Sequence, residues 1–396
     1  MFSKVYTFIP FLRFFKTGRF KQFLSKGEIF LPNRKGRVLW VHTPSVGEFN
    51  TVKPLLEKLK DENTSLVLTY FSPRASDYLK RQTLPDAVFR LPLPLSPFIN
   101  RFVEGIKPDI LIIVEGDRFP ALYSAPVAKK FVVNARMSER SFNFLKRLKF
   151  LFKKPLRSID LYLCKTFEDC LRFKRLGVPE QKLKVCGNLK AVPPKGIEQI
   201  EPKILFPADS FVFTAGSTHP GEEEFLLPAL DLLFKRIPGF KAVIAPRHIE
   251  RAQRVIELLK NAFPEKRISL RSEVKDGETF EGDILVVDTL GELLSFYKAS
   301  NATFVGGTVN PKVGGHNLLE PAYFGKPVLF GKYIHKVKDL AEILNSLGLG
   351  FQVVSPVDLA EKVIKLHKFE TPKENPLREL GEKILNCYLE SLKISK

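Results

Sequence analysis

The chain reads as an α/β protein made of two doubly wound domains in succession, and three observations carry that reading. Short apolar runs, each followed by a polar turn and a stretch of helical spacing, recur between residues 38 and 188 and again between residues 211 and 330. Between the two series lies Pro193-Pro194-Lys195-Gly196, which has the composition of a linker. In the second series, residues 304–331 (FVGGTVNPKVGGHNLLEPAYFGKPVLFG) compress a strand, a glycine loop, a helix start and another strand into one βαβ unit.

Taken in order, residues 1–35 read as a basic, amphipathic segment that ends near Gly27 and Pro32. A first domain over residues 36–192 opens on the strand Val38-Leu39-Trp40-Val41-His42. The loop Thr43-Pro44-Ser45-Val46-Gly47-Glu48 leads from it into a helix. Further strands are expected at residues 66–70, 88–91, 110–114, 131–134, 161–164 and 185–188, giving a parallel sheet of about six strands. A second domain over residues 197–372 restarts the pattern at residues 211–216. It continues at 242–245, 284–287, 302–305 and 328–330. Residues 373–396 form a charged amphipathic helix with Leu377, Leu380, Ile384, Leu385 and Tyr388 on one face.

At 396 residues and 44% hydrophobic content the chain is long enough for two full cores. Cys164, Cys170, Cys186 and Cys387 show neither metal-ligand spacing nor a disulfide framework, so reduced thiols in a cytosolic compartment are the simplest account. The N-terminus lacks the apolar core and cleavage site of a signal peptide, and no run approaches the roughly 20 apolar residues of a spanning helix.

The net charge of +20 points to an anionic partner. Residues 1–40 hold nine Lys/Arg and one acid, Glu28, interleaved with Phe2, Tyr6, Phe8, Phe11, Phe14, Phe15, Phe20 and Phe23. Residues 142–157 hold Lys146, Arg147, Lys149, Lys153, Lys154 and Arg157, without an acid, among Phe142, Phe144, Phe150 and Phe152. Cations mixed with large aromatics fit interfacial helices on an anionic membrane. A solvated basic face over a buried Phe stripe would give the same sequence. Single-stranded nucleic acid ranks behind both, because no RNA-binding signature accompanies the patches.

Ligands of open α/β sheets bind beyond the carboxyl ends of the strands, so the residues there are the candidates. Glu48 follows the first strand at a helix start that orients it as a general base needs; a capping box with Ser45 has the same spacing. Glu115 ends a wholly apolar strand, where a carboxylate is unusual without a task or a basic partner. Lys190 follows Gly187-Asn188-Leu189. In the second domain Ser217 and His219 lie in a loop of amides and hydroxyls suited to an anion, or to a plain cap. Pro246-Arg247 places a guanidinium at a strand end, where it can pair with phosphate or with a surface acid. Leu290-Gly291-Glu292 starts a helix whose backbone can meet a base. In the glycine corner Asn317 can cap a helix beginning near His316, and Glu320, one turn in, can accept bonds from ribose hydroxyls. No cluster has metal-ligand spacing. The corner lacks both the Walker Lys and the G-x-G-x-x-G pattern.

Together and in order, several segments resemble the Kdo transferases, the 3-deoxy-D-manno-octulosonic-acid transferases of lipopolysaccharide synthesis. They are residues 42–48 (HTPSVGE), 134–141 (NARMSERS), 187–190 (GNLK), 215–219 (AGSTH), 246–248 (PRH) and 314–321 (GGHNLLEP). The resemblance implies the GT-B fold, with two Rossmann-like doubly wound domains facing across a cleft, an N-terminal one for the acceptor and a C-terminal one for the CMP-sugar. It implies inverting, metal-independent transfer of Kdo from CMP-Kdo to a lipid A precursor (lipid IVA), without a cofactor and without nucleic acid, at the cytoplasmic face of the inner membrane. It further implies Glu48 as general base and Glu115 and Lys190 as supports of the transition state. Pro246, Arg247, Leu290, Gly291, Glu292, Asn317, Leu318, Leu319 and Glu320 would hold CMP, with Ser217 and His219 as secondary donor contacts. The chain departs from the family after Glu115, where a T-E-L-W-P-like run is replaced by Gly116-Asp117-Arg118-Phe119-Pro120. It also has a short basic-aromatic start where many members have a spanning anchor, so peripheral or monotopic attachment is expected. Competing readings are another nucleotide-sugar transferase or epimerase of the same fold, and a non-catalytic binder of anionic membranes or nucleic acid. The carboxylates Glu48 and Glu115 argue against a binder of anions.

Overall fold

The structure, a computed structural model, describes residues 31, 34–116, 119–368 and 374–392. The first basic-aromatic segment therefore lies almost wholly outside the described residues, as do Asp117 and Arg118. The chain divides into two units, residues 1–192 with 382–396, and residues 193–381.

The first unit runs β1 (Arg37–His42), α1 (Val46–Leu59), β2 (Thr64–Tyr70), α2 (Ser76–Lys80), β3 (Ala87–Arg90), α3 (Ser96–Ile106), β4 (Ile110–Val114), α4 (Pro120–Tyr123) and β5 (Lys129–Ala135). It continues with α5 (Glu139–Arg147), α6 (Lys149–Arg157), β6 (Leu161–Cys164), α7 (Phe167–Arg175) and β7 (Leu183–Val185). The strands form one seven-stranded sheet in the order β3-β2-β1-β4-β5-β6-β7, paired parallel throughout. A sheet covered on both faces needs strands that are apolar on both sides. β4, Ile-Leu-Ile-Ile-Val, is accordingly buried along its whole length. Trp40 of β1 packs on Phe102 of α3 with ring centroids 5.1 Å apart, and its indole N–H donates to Thr69 on β2.

The second unit runs β8 (Phe211–Thr218), α8 (Glu222–Arg236), β9 (Phe240–Pro246), α9 (Ala252–Ala262), β10 (Ile268–Leu270), β11 (Ile284–Val286) and α10 (Leu293–Ala299). Then follow β12 (Ala302–Val305), α11 (Leu319–Ala322), β13 (Val328–Phe330), α12 (Lys338–Ser346), β14 (Gly350–Gln352) and α13 (Pro356–His367). Its sheet is also seven-stranded and parallel, in the order β10-β11-β9-β8-β12-β13-β14. α14 (Pro376–Leu392) follows, and from Glu382 onward it belongs to the first unit. Leu377, Gly381, Ile384, Tyr388 and Leu392 form its buried stripe, and the expected Leu380 and Leu385 flank it half-buried.

The structure corrects several sequence expectations. The second sheet has two strands more than expected, β10 and β14, each three residues long and too short to carry a periodic signal. The strand expected at residues 185–188 ends at Val185, since Gly187 takes φ +99° and turns the chain. The helix expected from His316 begins at Leu319. Asn317 still accepts the Leu319 N–H at 3.2 Å. The cysteines are not all reduced thiols. Cys186 and Cys387 form a disulfide across a sequence separation of 201, which no local spacing could reveal, while Cys164 and Cys170 are free and buried.

Candidate active site

In each sheet the order reverses at one pair of strands, and the crevice outside their carboxyl ends is where such folds bind ligands. In the first unit that pair is β1 and β4, and Glu48 and Glu115 follow them. Glu48 lies in the first turn of α1, capped by Ser45, whose hydroxyl takes the Gly47 N–H at 3.2 Å and donates to the Glu48 carboxylate. The two bonds make a plain serine cap rather than a reciprocal capping box, and the hydroxyl aims the carboxylate. Glu115 stands just past β4 in a left-handed conformation, φ +61°. A non-glycine residue in such a conformation costs about 1–3 kcal/mol and persists where surrounding structure enforces it. Here the Glu115 N–H bonds to Val133 O at 2.8 Å, and its carbonyl takes the Arg136 N–H at 3.0 Å. Burial raises the pKa of Glu115, the charge of Glu48 raises it further, and Lys190, Lys165 and Arg136 oppose the rise. Two carboxylates and a lysine thus share one site.

Asn134, near the end of β5, holds this arrangement together. It is wholly buried and also left-handed, φ +50°. Its side-chain N–H₂ donates to Glu115 Oε1 at 3.3 Å, and its side-chain oxygen accepts the Leu189 N–H at 3.0 Å in the turn bearing Lys190. The sequence offered one signal: an asparagine, which tolerates the left-handed region, at the end of an apolar strand. Phe119, standing where the family run has Trp, packs against Phe71 with centroids 5.2 Å apart.

In the second unit the reversal falls between β8 and β12. Ser217, φ +55°, sits in a register shift at the end of β8. The loops after β8 and β12 are tied by Glu222, a fully buried carboxylate that the sequence shows only as one of three consecutive acids at a helix start. It accepts the N–H groups of Gly307 at 2.7 Å, Val309 at 2.9 Å and His219 at 3.0 Å. Gly306 must be glycine, because a Cβ there would lie 2.4 Å from Ser217 O. His219 Nε2 and His316 Nε2 are 2.7 Å apart, so one ring nitrogen carries a hydrogen and the other accepts it. Burial, His219 and nearby cations lower the His316 pKa to about 4.

Arg247 is exposed just past β9, with its N–H on Thr218 O at 3.0 Å. Its charge acts on both His316 and Glu320. Burial raises the pKa of Glu320, while Arg247 and the Asn317 amide, 3.3 Å away, oppose the rise. Arg247, His316, Asn317 and Glu320 therefore form one cluster, backed by the buried Tyr297, whose pKa burial and Glu320 raise further. Leu318 and Leu319 are buried side chains and offer only backbone. Leu290 is 80% exposed and Gly291 takes φ +82°, so that turn stands open. The Glu292 carboxylate, in contrast, is committed to Arg271 at 2.8 Å, Lys203 at 2.8 Å and Thr289 at 2.7 Å. Any ligand contact at Glu292 belongs to its backbone. Among the described residues no three His, Cys, Asp or Glu side chains are grouped to hold a metal ion.

The family model described as 3-deoxy-D-manno-octulosonic-acid transferase (kdotransferase) matches residues 17–192. The 3-deoxy-D-manno-octulosonic acid transferase of Aquifex aeolicus is 39% identical over 366 residues, covering 92% of this chain and 94% of that protein. The enzyme of the same name from Haemophilus influenzae is 30% identical over 366 residues, covering 88% and 84%. In fold, the chain is similar to the UDP-GlcNAc 2-epimerase of Neisseria meningitidis, with a TM-score of 0.60 over 90% of this chain and 99% of that one at 16% identity. The chain belongs to the Kdo transferase family and is a glycosyltransferase of the GT-B fold that acts in Kdo transfer.

Proposed function

We propose that the chain moves Kdo from CMP-Kdo to a tetra-acylated lipid A precursor, with inversion and without a metal, at the cytoplasmic face of the inner membrane. The observation that carries this reading is the pair Glu48 and Glu115 at the reversal point of the first sheet, with Lys190 beside them. An acceptor alcohol is a weak nucleophile at neutral pH, whereas a nucleoside monophosphate leaves without an acid, so transfer needs one base. Glu48 takes the hydroxyl proton as the oxygen bonds to the anomeric carbon. The bond from that carbon to the CMP oxygen breaks, and the electron pair leaves with CMP. A single displacement inverts the centre. Glu115 and Lys190 support the charge that develops.

In the second unit Arg247 supplies positive charge for the donor phosphate, and Glu320 with the turn Asn317-Leu318-Leu319 receives the ribose hydroxyls. Leu290, Gly291 and the Glu292 backbone meet the base beside Pro246. Ser217 and His219 are secondary contacts. The basic α5–α6 pair supports membrane attachment. Phe144, Phe142 and Leu148 pack on the core and Phe152 is buried in it, but Phe150 is 77% exposed and Leu151 stands out beside it. Lys149, Lys153 and Lys154 surround them, exposed in turn. Among the described residues no helix is long and apolar enough to cross a membrane.

The test is product formation from CMP-Kdo and the tetra-acylated precursor. Glu48→Gln should lower turnover by about 10²–10⁴-fold, the usual contribution of a positioned base, with fold and CMP binding kept. Near wild-type turnover in folded Glu48→Gln enzyme would overturn the assignment of the base.

A further inference from the structure

α14 returns to the first unit and places Tyr388, fully buried, against the end of β5. The Tyr388 hydroxyl accepts the Asn134 N–H at 3.2 Å and donates to Gly187 O at 2.9 Å. Gly187 allows this approach: it takes φ +99°, and a Cβ there would lie 2.8 Å from Ile384 of the same helix. The neighbouring Cys387 is bonded to Cys186, so α14 is fastened at the same turn. Asn134 in its turn bonds Glu115 through one end of its amide and the Lys190 turn through the other.

We infer that Asn134 is a positioning residue for Kdo transfer, locking Glu115 and the Lys190 turn into one geometry, and that Tyr388 on the C-terminal helix holds Asn134 in its left-handed conformation. The inference rests on the proposed roles of Glu115 and Lys190. The amide is matched to the task. Its N–H₂ end favours an ionised Glu115, its oxygen end satisfies a backbone N–H, and an aliphatic residue would supply neither. The groups that act on Glu115 are Glu48 from α1, Arg136 after β5, Lys165 after β6 and Lys190 after β7, with Tyr388 from α14 also within its field.

The experiment compares Asn134→Gly, Asn134→Asp, Tyr388→Phe and Glu115→Gln in the full chain. Glycine keeps the left-handed backbone and deletes the amide. Aspartate keeps the Leu189 bond but sets a further carboxylate, beside Glu48, against Glu115. For Asn134→Gly we expect kcat to fall about 10–100-fold, as misplaced catalytic groups do, with KM for CMP-Kdo within about twofold because the donor cluster is untouched. The acidic limb of the pH–rate profile should move to higher pH in Asn134→Gly, and further in Asn134→Asp. Tyr388→Phe should lower kcat in the same direction by a smaller factor, and it carries the test with Asn134→Asp if Asn134→Gly does not fold. Impaired Glu115→Gln beside Asn134 variants with wild-type kcat and pH profile would overturn the inference alone. A wild-type rate in Glu115→Gln would overturn the reading of the site beneath it.

Discussion

Glu222 ties the loops after β8 and β12 together, and Glu222→Gln measures how far the second unit depends on it. Its Oε2 receives two N–H groups, from Gly307 and His219, and its Oε1 receives one, from Val309. A glutamine can keep its oxygen on the two-bond side. Those bonds then run to a neutral acceptor, and each loses about 1 kcal/mol of the advantage of a charged one. The other position becomes an NH₂ facing the Val309 N–H, donor against donor, which leaves a part-buried N–H unsatisfied at about 1–3 kcal/mol. The sum is about 3–5 kcal/mol. For a unit of roughly 190 residues each kcal/mol lowers Tm by about 2–4 °C, so the second unit should melt about 6–20 °C earlier. Scanning calorimetry of wild type and variant reads this directly. A Tm within about 2 °C of wild type would refute the argument that three amides converging on one carboxylate hold the two loops.

Arg247→Ala should weaken CMP about tenfold to a hundredfold by titration calorimetry, since a charge-assisted bond to phosphate contributes about 1.5–3 kcal/mol; UMP or UDP bound more tightly than CMP would instead remove the cytidine assignment. His316 is held near pKa 4 against an ordinary value of 6.5. Between these values the unfolded chain binds a proton that the folded chain does not, so stability falls as pH drops through that window. Replacing His316 by Gln should flatten that part of the stability–pH curve, and an unchanged slope would count against it. Phe150→Ser should reduce co-sedimentation with anionic vesicles while leaving soluble stability intact, and wild-type binding should drop at high salt.

What the sequence disclosed of the site follows from where the information lies along the chain. Glu48, Glu115 and Arg247 each stand within a few residues of a strand end, so a strand pattern and a rule about carboxyl ends were enough to find them, while Glu320 was found through the glycine loop and helix start that follow β12. Leu318 and Leu319 came with the same corner, but their burial limits them to backbone, which a motif does not distinguish. Glu292 has the helix-start position of a ligand contact, yet Arg271 and Lys203 claim its carboxylate from 21 and 89 residues away. Glu222 reads as one of three acids at a helix start, and only the approach of a loop some 85 residues further on turns it into a buried acceptor. Asn134 and Tyr388 are separated by 254 residues and Cys186 and Cys387 by 201. These non-local contacts decide whether Glu115, a carboxylate any reader of β4 would find, is held still. Strand-end chemistry is therefore local and legible, whereas the restraint that makes it usable is assembled from the far end of the chain. In this protein the last helix bonds the strand-end residue that holds Glu115, even though the sequence shows it only as a charged amphipathic tail.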